Sequence, residues 1–101
     1  MKLKIIAEIG SNWNGSNEIG KKIITSTKQA GADYVKFQMW RAKDLYNQSH
    51  PNWKEINKSE LQKDIAKKLK QHADKIGIDF FCSAFYPEAI DYLEDLHVKL
   101  Y

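Results

Sequence analysis

Apolar positions along the chain fall into two alternating kinds of run. Short β-branched and aromatic stretches at residues 3–9, 32–38 and 78–82 have the length and composition of strands. Between them apolar residues recur at helical spacing, first as Ile19, Ile23, Ile24, Thr27 and Ala30, then as Leu61, Ile65, Ala66, Leu69, Ala73 and Ile76. A third helical stripe is Ala89, Ile90, Leu93 and Leu96. The boundaries carry matching signals. Ser16 or Asn17 can cap the first helix and Gly31 can end it in a left-handed conformation. Ser59-Glu60-Leu61-Gln62 has the form of a capping box, Gly77 closes the second helix, and Pro87 suits the first turn of the third. Residues 98–101 predict the start of a fourth strand. Residues 39–57 form a long connection whose length predicts short turns of its own, with Trp40 and Trp53 pinning it to the scaffold.

The order β-α-β-α-β-α-β implies parallel strands joined by right-handed helical crossovers. Ala32-Asp33-Tyr34-Val35-Lys36-Phe37-Gln38 reads as a strand buried on both faces. Its polar residues are then the exception that needs a reason, because a buried ammonium without a partner is costly. Lys36 and Gln38 are two positions apart and share one side of the strand. In parallel α/β sheets ligands sit at the C-terminal ends of strands. Lys36 is therefore read either as an anion-binding group beside a polar substrate contact or as a lysine snorkelling out at a strand end. Glu8 and Ser83 lie at the ends of the other two strands. A polar, Gly-flanked loop at residues 10–17 follows the first. A doubly wound sheet and a piece of a (β/α)8 barrel both fit the alternation. Gly10, Gly15 and Gly20 lack the G-x-G-x-x-G spacing of a dinucleotide fingerprint. Polar residues at three successive strand ends favour the barrel, which gathers all its strand ends around one pocket.

Composition narrows the function classes. With 101 residues, 43% hydrophobic and 29% charged, the chain reads as one globular domain. The net charge of +3 comes from lysines interleaved with Glu and Asp, with Arg41 the single arginine. That pattern describes a solvated surface and not a nucleic-acid face. No apolar run is long enough for a signal peptide or a membrane span. The lone Cys82 excludes an internal disulfide and a multi-cysteine zinc site and fits a reducing, cytoplasmic setting. It reads as a small buried filler, with no base beside it in sequence to make it a nucleophile.

Three motifs carry a resemblance to a known family. Ala7-Glu8-Ile9-Gly10-Ser11-Asn12-Trp13-Asn14-Gly15, then Val35-Lys36-Phe37-Gln38, then Phe81-Cys82-Ser83-Ala84-Phe85 resemble the N-terminal third of N-acetylneuraminate (sialic acid) synthases. The resemblance implies the first three βα units of a (β/α)8 TIM barrel plus the start of strand four, with residues 1–101 an N-terminal fragment of it. It implies a transferase that condenses phosphoenolpyruvate with N-acetylmannosamine or a related N-acyl amino sugar, releases phosphate, and uses a divalent metal, Mn or Mg. By the resemblance Lys36 and Ser83 hold phosphoenolpyruvate and Glu8 faces the sugar aldehyde as a proton carrier or partner to metal-bound water. Gln38 holds sugar hydroxyls, and Asn12 and Asn14 shape the loop near the sugar. Each has a plainer alternative: Glu8 and Lys36 pairing only to satisfy one another, and Ser83 capping the third helix. The sequence departs from the family pattern at Trp13, where many members carry His, which bears on sugar preference, and at Ala84, where many carry Pro. The metal-binding histidines and a further phosphate-binding lysine are expected beyond Tyr101, and His50, His72 and His97 do not stand in for them. A homo-oligomer is expected of the full-length form, and an inactive, self-associating or marginally stable chain from these residues alone. The alternatives are a non-catalytic α/β fragment and a phospho-sugar binding module.

Overall fold

A computed structural model describes residues 3–98. The elements are β1 (Ile6–Gly10), α1 (Asn17–Gln29), β2 (Tyr34–Met39), α2 (Ala42–Leu45), α3 (Trp53–Lys58), α4 (Lys63–Ile76), β3 (Asp79–Ala84) and α5 (Pro87–Asp95). The strands form one parallel sheet in the order β1-β2-β3. Strand order therefore follows chain order, with no reversal at which a doubly wound sheet would switch direction. Crossovers of one hand then lay their helices on one side of the sheet. This is the winding of a barrel, and the other side of the sheet is left open.

The pleat sorts the side chains accordingly. Val35, Phe37 and Met39 of β2 are fully buried, together with Ile9 of β1 and Phe80 and Cys82 of β3. They meet Ile24 of α1, Ala66, Leu69 and Ala73 of α4, and Ala89 and Leu93 of α5 in a single core. Tyr34, Lys36 and Gln38, on the opposite face of β2, are only half-buried. The expectation of a strand buried on both faces is thus corrected: β2 is covered on its helix side alone, and Lys36 is not an isolated buried charge. On the open face Phe81 is shielded by an edge-on Tyr34, with ring centroids 6.0 Å apart.

The helix boundaries mostly follow their signals. The Ser16 hydroxyl accepts the Ile19 amide at 3.2 Å and starts α1. Gly31 and Gly77 both take left-handed conformations just after their helices. The capping box at residues 59–62 does not form. Gln62 is the N-cap of α4 and makes no side-chain cap bond. Ser59 instead ends α3, its hydroxyl donating to the Glu55 carbonyl at 2.9 Å. Glu60 reaches back to accept the Ala42 amide at 2.9 Å, capping α2. The third stripe is narrower than expected, since Ile90 points outward at 46% exposure. Val98 is buried but not in a strand, and the rest of the expected fourth strand lies outside the described residues.

Candidate active site at the strand ends

The open face gathers polar side chains toward the C-terminal ends of the strands. Glu8 pairs in register with Lys36, and Gln38 with Ser83. The Lys36 ammonium lies 3.2 Å from the Glu8 carboxylate, with the two side chains 28% and 52% exposed. The pair is therefore accessible to a ligand, and its mutual attraction is screened by water. The register shifts between Glu8 and Gly10, and such bulges re-aim the chain at strand ends and beside active sites. Gln38 rests its amide over Gly10, where a Cβ would stand 3.6 Å from the amide carbon. Ser83 lies inside β3, and the N-cap of α5 is Tyr86, so Ser83 does not cap that helix.

The turn after β1 presents alternate residues in opposite directions. Asn12 and Asn14 are exposed, while Trp13 between them is buried in the core, edge-on to Phe37 at 6.4 Å. Trp13 is thus a packing residue and does not put an indole into the site. Gly15 ends the turn against the last carbonyl of α3, and a Cβ there would stand 2.1 Å from the Lys58 oxygen. The turn is in this way fixed to the β2–α4 connection, which carries α2 and α3. Trp40 is buried, and its indole N–H donates to the Ser11 hydroxyl at 3.1 Å. A cavity of about 320 Å³ opens beside Gln38, between these strand ends and α2 and α3. That volume suits a small-molecule ligand.

Several features of this neighbourhood have no sequence motif. Arg41 bonds Asp44 at 2.7 Å, which raises the guanidinium pKa, and stacks over the Tyr86 ring at 4.1 Å. It joins the end of β2 to the start of α5. Cys82 is buried on the helix side of β3, and burial pushes its thiol up to about 12, which rules out a resting thiolate. The histidines lie apart: His50 is edge-on to Tyr46, His72 bonds Thr25 at 2.8 Å between α4 and α1, and His97 sits near the N-terminal ends of β2 and β3. Among the described residues no three His, Cys, Asp or Glu side chains converge to hold a metal ion. Among the described residues Glu8 is a lone carboxylate at the C-terminal strand ends of the open face, so this part of the site does not by itself fit a divalent cation.

The sequence model of the NeuB family matches residues 23–101, most of the chain. The chain belongs to the NeuB family. It is 33% identical to the N,N'-diacetyllegionaminic acid synthase of Legionella pneumophila, over 94% of this chain and 31% of that protein. It is 31% identical to the N-acetylneuraminate-9-phosphate synthase of Mus musculus, over 96% of this chain and 31% of that one. The N-acetylneuraminic acid (sialic acid) synthetase of Leptospira borgpetersenii, solved in complex with citrate, superposes with a TM-score of 0.89 at 24% identity, over 98% of this chain and 35% of that one. The chain thus spans about a third of the length of the curated relatives it matches. The superposition supports the fold: the three βα units form the beginning of a TIM barrel, with the open sheet face as its interior. No helix among the described residues is long and apolar enough to cross a membrane.

Proposed function

We propose that the protein carrying this NeuB-family chain condenses phosphoenolpyruvate with an N-acyl amino sugar such as N-acetylmannosamine and releases phosphate. The observation that carries the reading is the Glu8–Lys36 pair at 3.2 Å on the open face, with Gln38 and Ser83 side by side just beyond it. In this reading Lys36 turns from Glu8 to the phosphoenolpyruvate anion, and the Ser83 hydroxyl donates a hydrogen bond to the same ligand. Glu8, a carboxylate once freed from its partner, takes a proton from the water that adds to the phosphate-bearing carbon of phosphoenolpyruvate and passes it to the oxygen of the sugar aldehyde, which the new carbon–carbon bond turns into an alkoxide; collapse of the hydrated carbon to a ketone then expels phosphate. Gln38 holds sugar hydroxyls, and the turn bearing Asn12 and Asn14 borders the sugar. A divalent metal enters the proposal only as a group held by residues other than these, and no step here is routed through it. The enzyme works as a homo-oligomer in the cytoplasm, and residues 1–101 alone are inactive. The test is phosphate release from phosphoenolpyruvate by the full-length enzyme with manganese, with and without N-acetylmannosamine. Release that requires the sugar supports the reading. Release that ignores the sugar, or none with any N-acyl amino sugar, overturns it.

A further inference from the structure

The chain from Ser83 to the start of α5 is short, and it is tied to β2 and α2 at successive residues. Phe85 continues the pairing of β3 with β2, its amide donating to the Met39 carbonyl at 3.0 Å. Tyr86 is the N-cap of α5 but makes no side-chain capping bond. Its ring is gripped instead by Arg41, whose guanidinium carbon lies 4.1 Å from the ring centroid. Ser83 stands three residues before Tyr86, so the place where that ring is held bears on the place of the Ser83 hydroxyl.

Arg41 is itself fixed. It is the N-cap of α2, and its Nε donates to the Asp44 carboxylate at 2.7 Å. That bond uses the edge of the guanidinium and leaves the flat face to the ring, a division that the ammonium of lysine cannot make. The neighbouring Ala42 amide is held by Glu60 at 2.9 Å. On the far side of Tyr86, Tyr92 lies edge-on at 6.4 Å, and the Lys63 ammonium of α4 lies 5.3 Å from the Tyr92 ring centroid. A cation thus closes each end of the tyrosine pair, and the stack runs from α2 across α5 to the start of α4. Each contact is made within the described residues, and none depends on an open surface.

We infer that Arg41 is a positioning residue for phosphoenolpyruvate: stacked on Tyr86, it holds residues 84–86 and through them aims the Ser83 hydroxyl at the anion. The inference rests on the proposed role of Ser83 toward that ligand. Arg41 itself touches no substrate, since its edge is engaged with Asp44 and its face with Tyr86.

The test uses variants of the full-length enzyme, read by calorimetry with phosphoenolpyruvate and by hydrogen exchange at the Phe85 amide. Arg41→Ala and Tyr86→Leu should each weaken phosphoenolpyruvate about tenfold, the scale of one hydrogen bond to a charged group, and each should speed exchange at Phe85. Arg41→Lys keeps the charge without the flat face and should lose affinity too, whereas Tyr86→Phe keeps the ring and should restore what Tyr86→Leu loses. In a Ser83→Ala background, Arg41→Ala should cause no further loss. A full further loss there would mean that Arg41 meets the anion directly, and overturns the inference. Unchanged affinity in Arg41→Ala, or unchanged exchange at Phe85, also overturns it. If Arg41→Ala does not fold, Arg41→Lys and Tyr86→Leu decide by the same readings. A wild type that binds phosphoenolpyruvate through Ser83 but is indifferent to Arg41 overturns this inference alone; a wild type that does not bind it overturns the proposed function as well.

Discussion

Replacing Lys36 by Ala separates a ligand role from a structural one. In the resting site its ammonium lies 3.2 Å from Glu8, with the two side chains 28% and 52% exposed. An ion pair so open to water contributes at most about 1 kcal/mol to stability. The β2 core side chains Val35, Phe37 and Met39 lie on the other face and are untouched. Lys36→Ala should therefore shift the urea midpoint only slightly. A charged hydrogen bond to a bound anion is worth about 1.5–3 kcal/mol, or roughly 10- to 150-fold in dissociation constant. The loss should fall toward the upper end, because the substitution leaves the Glu8 carboxylate unneutralised and facing the incoming phosphoenolpyruvate. Isothermal titration calorimetry of the full-length enzyme with phosphoenolpyruvate measures the effect, and urea unfolding supplies the control. Unchanged affinity in a folded variant would refute the anion-binding role, and a large stability loss would show that the pair is mainly structural.

Other expectations follow from the same geometry. Gly15→Ala should destabilise clearly more than Gly31→Ala. Both positions have positive φ, at a cost of about 1–2 kcal/mol for a side chain, but only at Gly15 does the added Cβ meet backbone, 2.1 Å from the Lys58 oxygen. Equal unfolding midpoints for the two would deny the close approach of the turn to α3. Cys82 should resist alkylation at pH 8 until the protein unfolds, since burial holds its thiol at about 12. Its folded pKa lies above the unfolded one, so its contribution to stability is complete below the ordinary thiol value of 9.0 and is lost as pH rises toward about 12; alkylation of the native protein as fast as of the unfolded one would contradict the burial. Residues 1–101 in isolation should associate, because β1 has an unpaired outer edge among the described residues and Leu3 and Ile5 before it and Ile6 at its start are exposed. A stable monomer by light scattering would contradict this.

The sequence carried the strand and helix order because period and punctuation agree in most segments, as at Ser16, Gly31 and Gly77. It also marked Glu8, Lys36, Gln38 and Ser83, because polar side chains at the ends of apolar runs stand out. What it hid depends on contacts between distant segments. Tyr34 is apolar enough to suggest a two-sided strand, and only the winding of the sheet leaves its face uncovered. Ser59 and Glu60 have capping-box spacing, but a hydroxyl between two helices can serve either. Here it serves the end of α3, while Glu60 reaches Ala42. Trp13 sits among loop residues in the sequence, yet the turn drives it into the core against Phe37. The cavity walls come from α2 and α3, too short for periodicity to reveal.

Turnover of Glu8→Gln tests the central claim most directly. The substitution keeps the shape of the side chain and removes its ability to carry a proton, together with the charge that pairs with Lys36. Calorimetry with phosphoenolpyruvate should show that the variant still binds this substrate, since Lys36 remains. With manganese, phosphoenolpyruvate and N-acetylmannosamine, product formation by the full-length variant should fall by about a hundredfold or more, the scale of general acid–base catalysis. A folded Glu8→Gln enzyme that turns over at the wild-type rate would contradict the account and leave the Glu8–Lys36 pair as a purely structural contact.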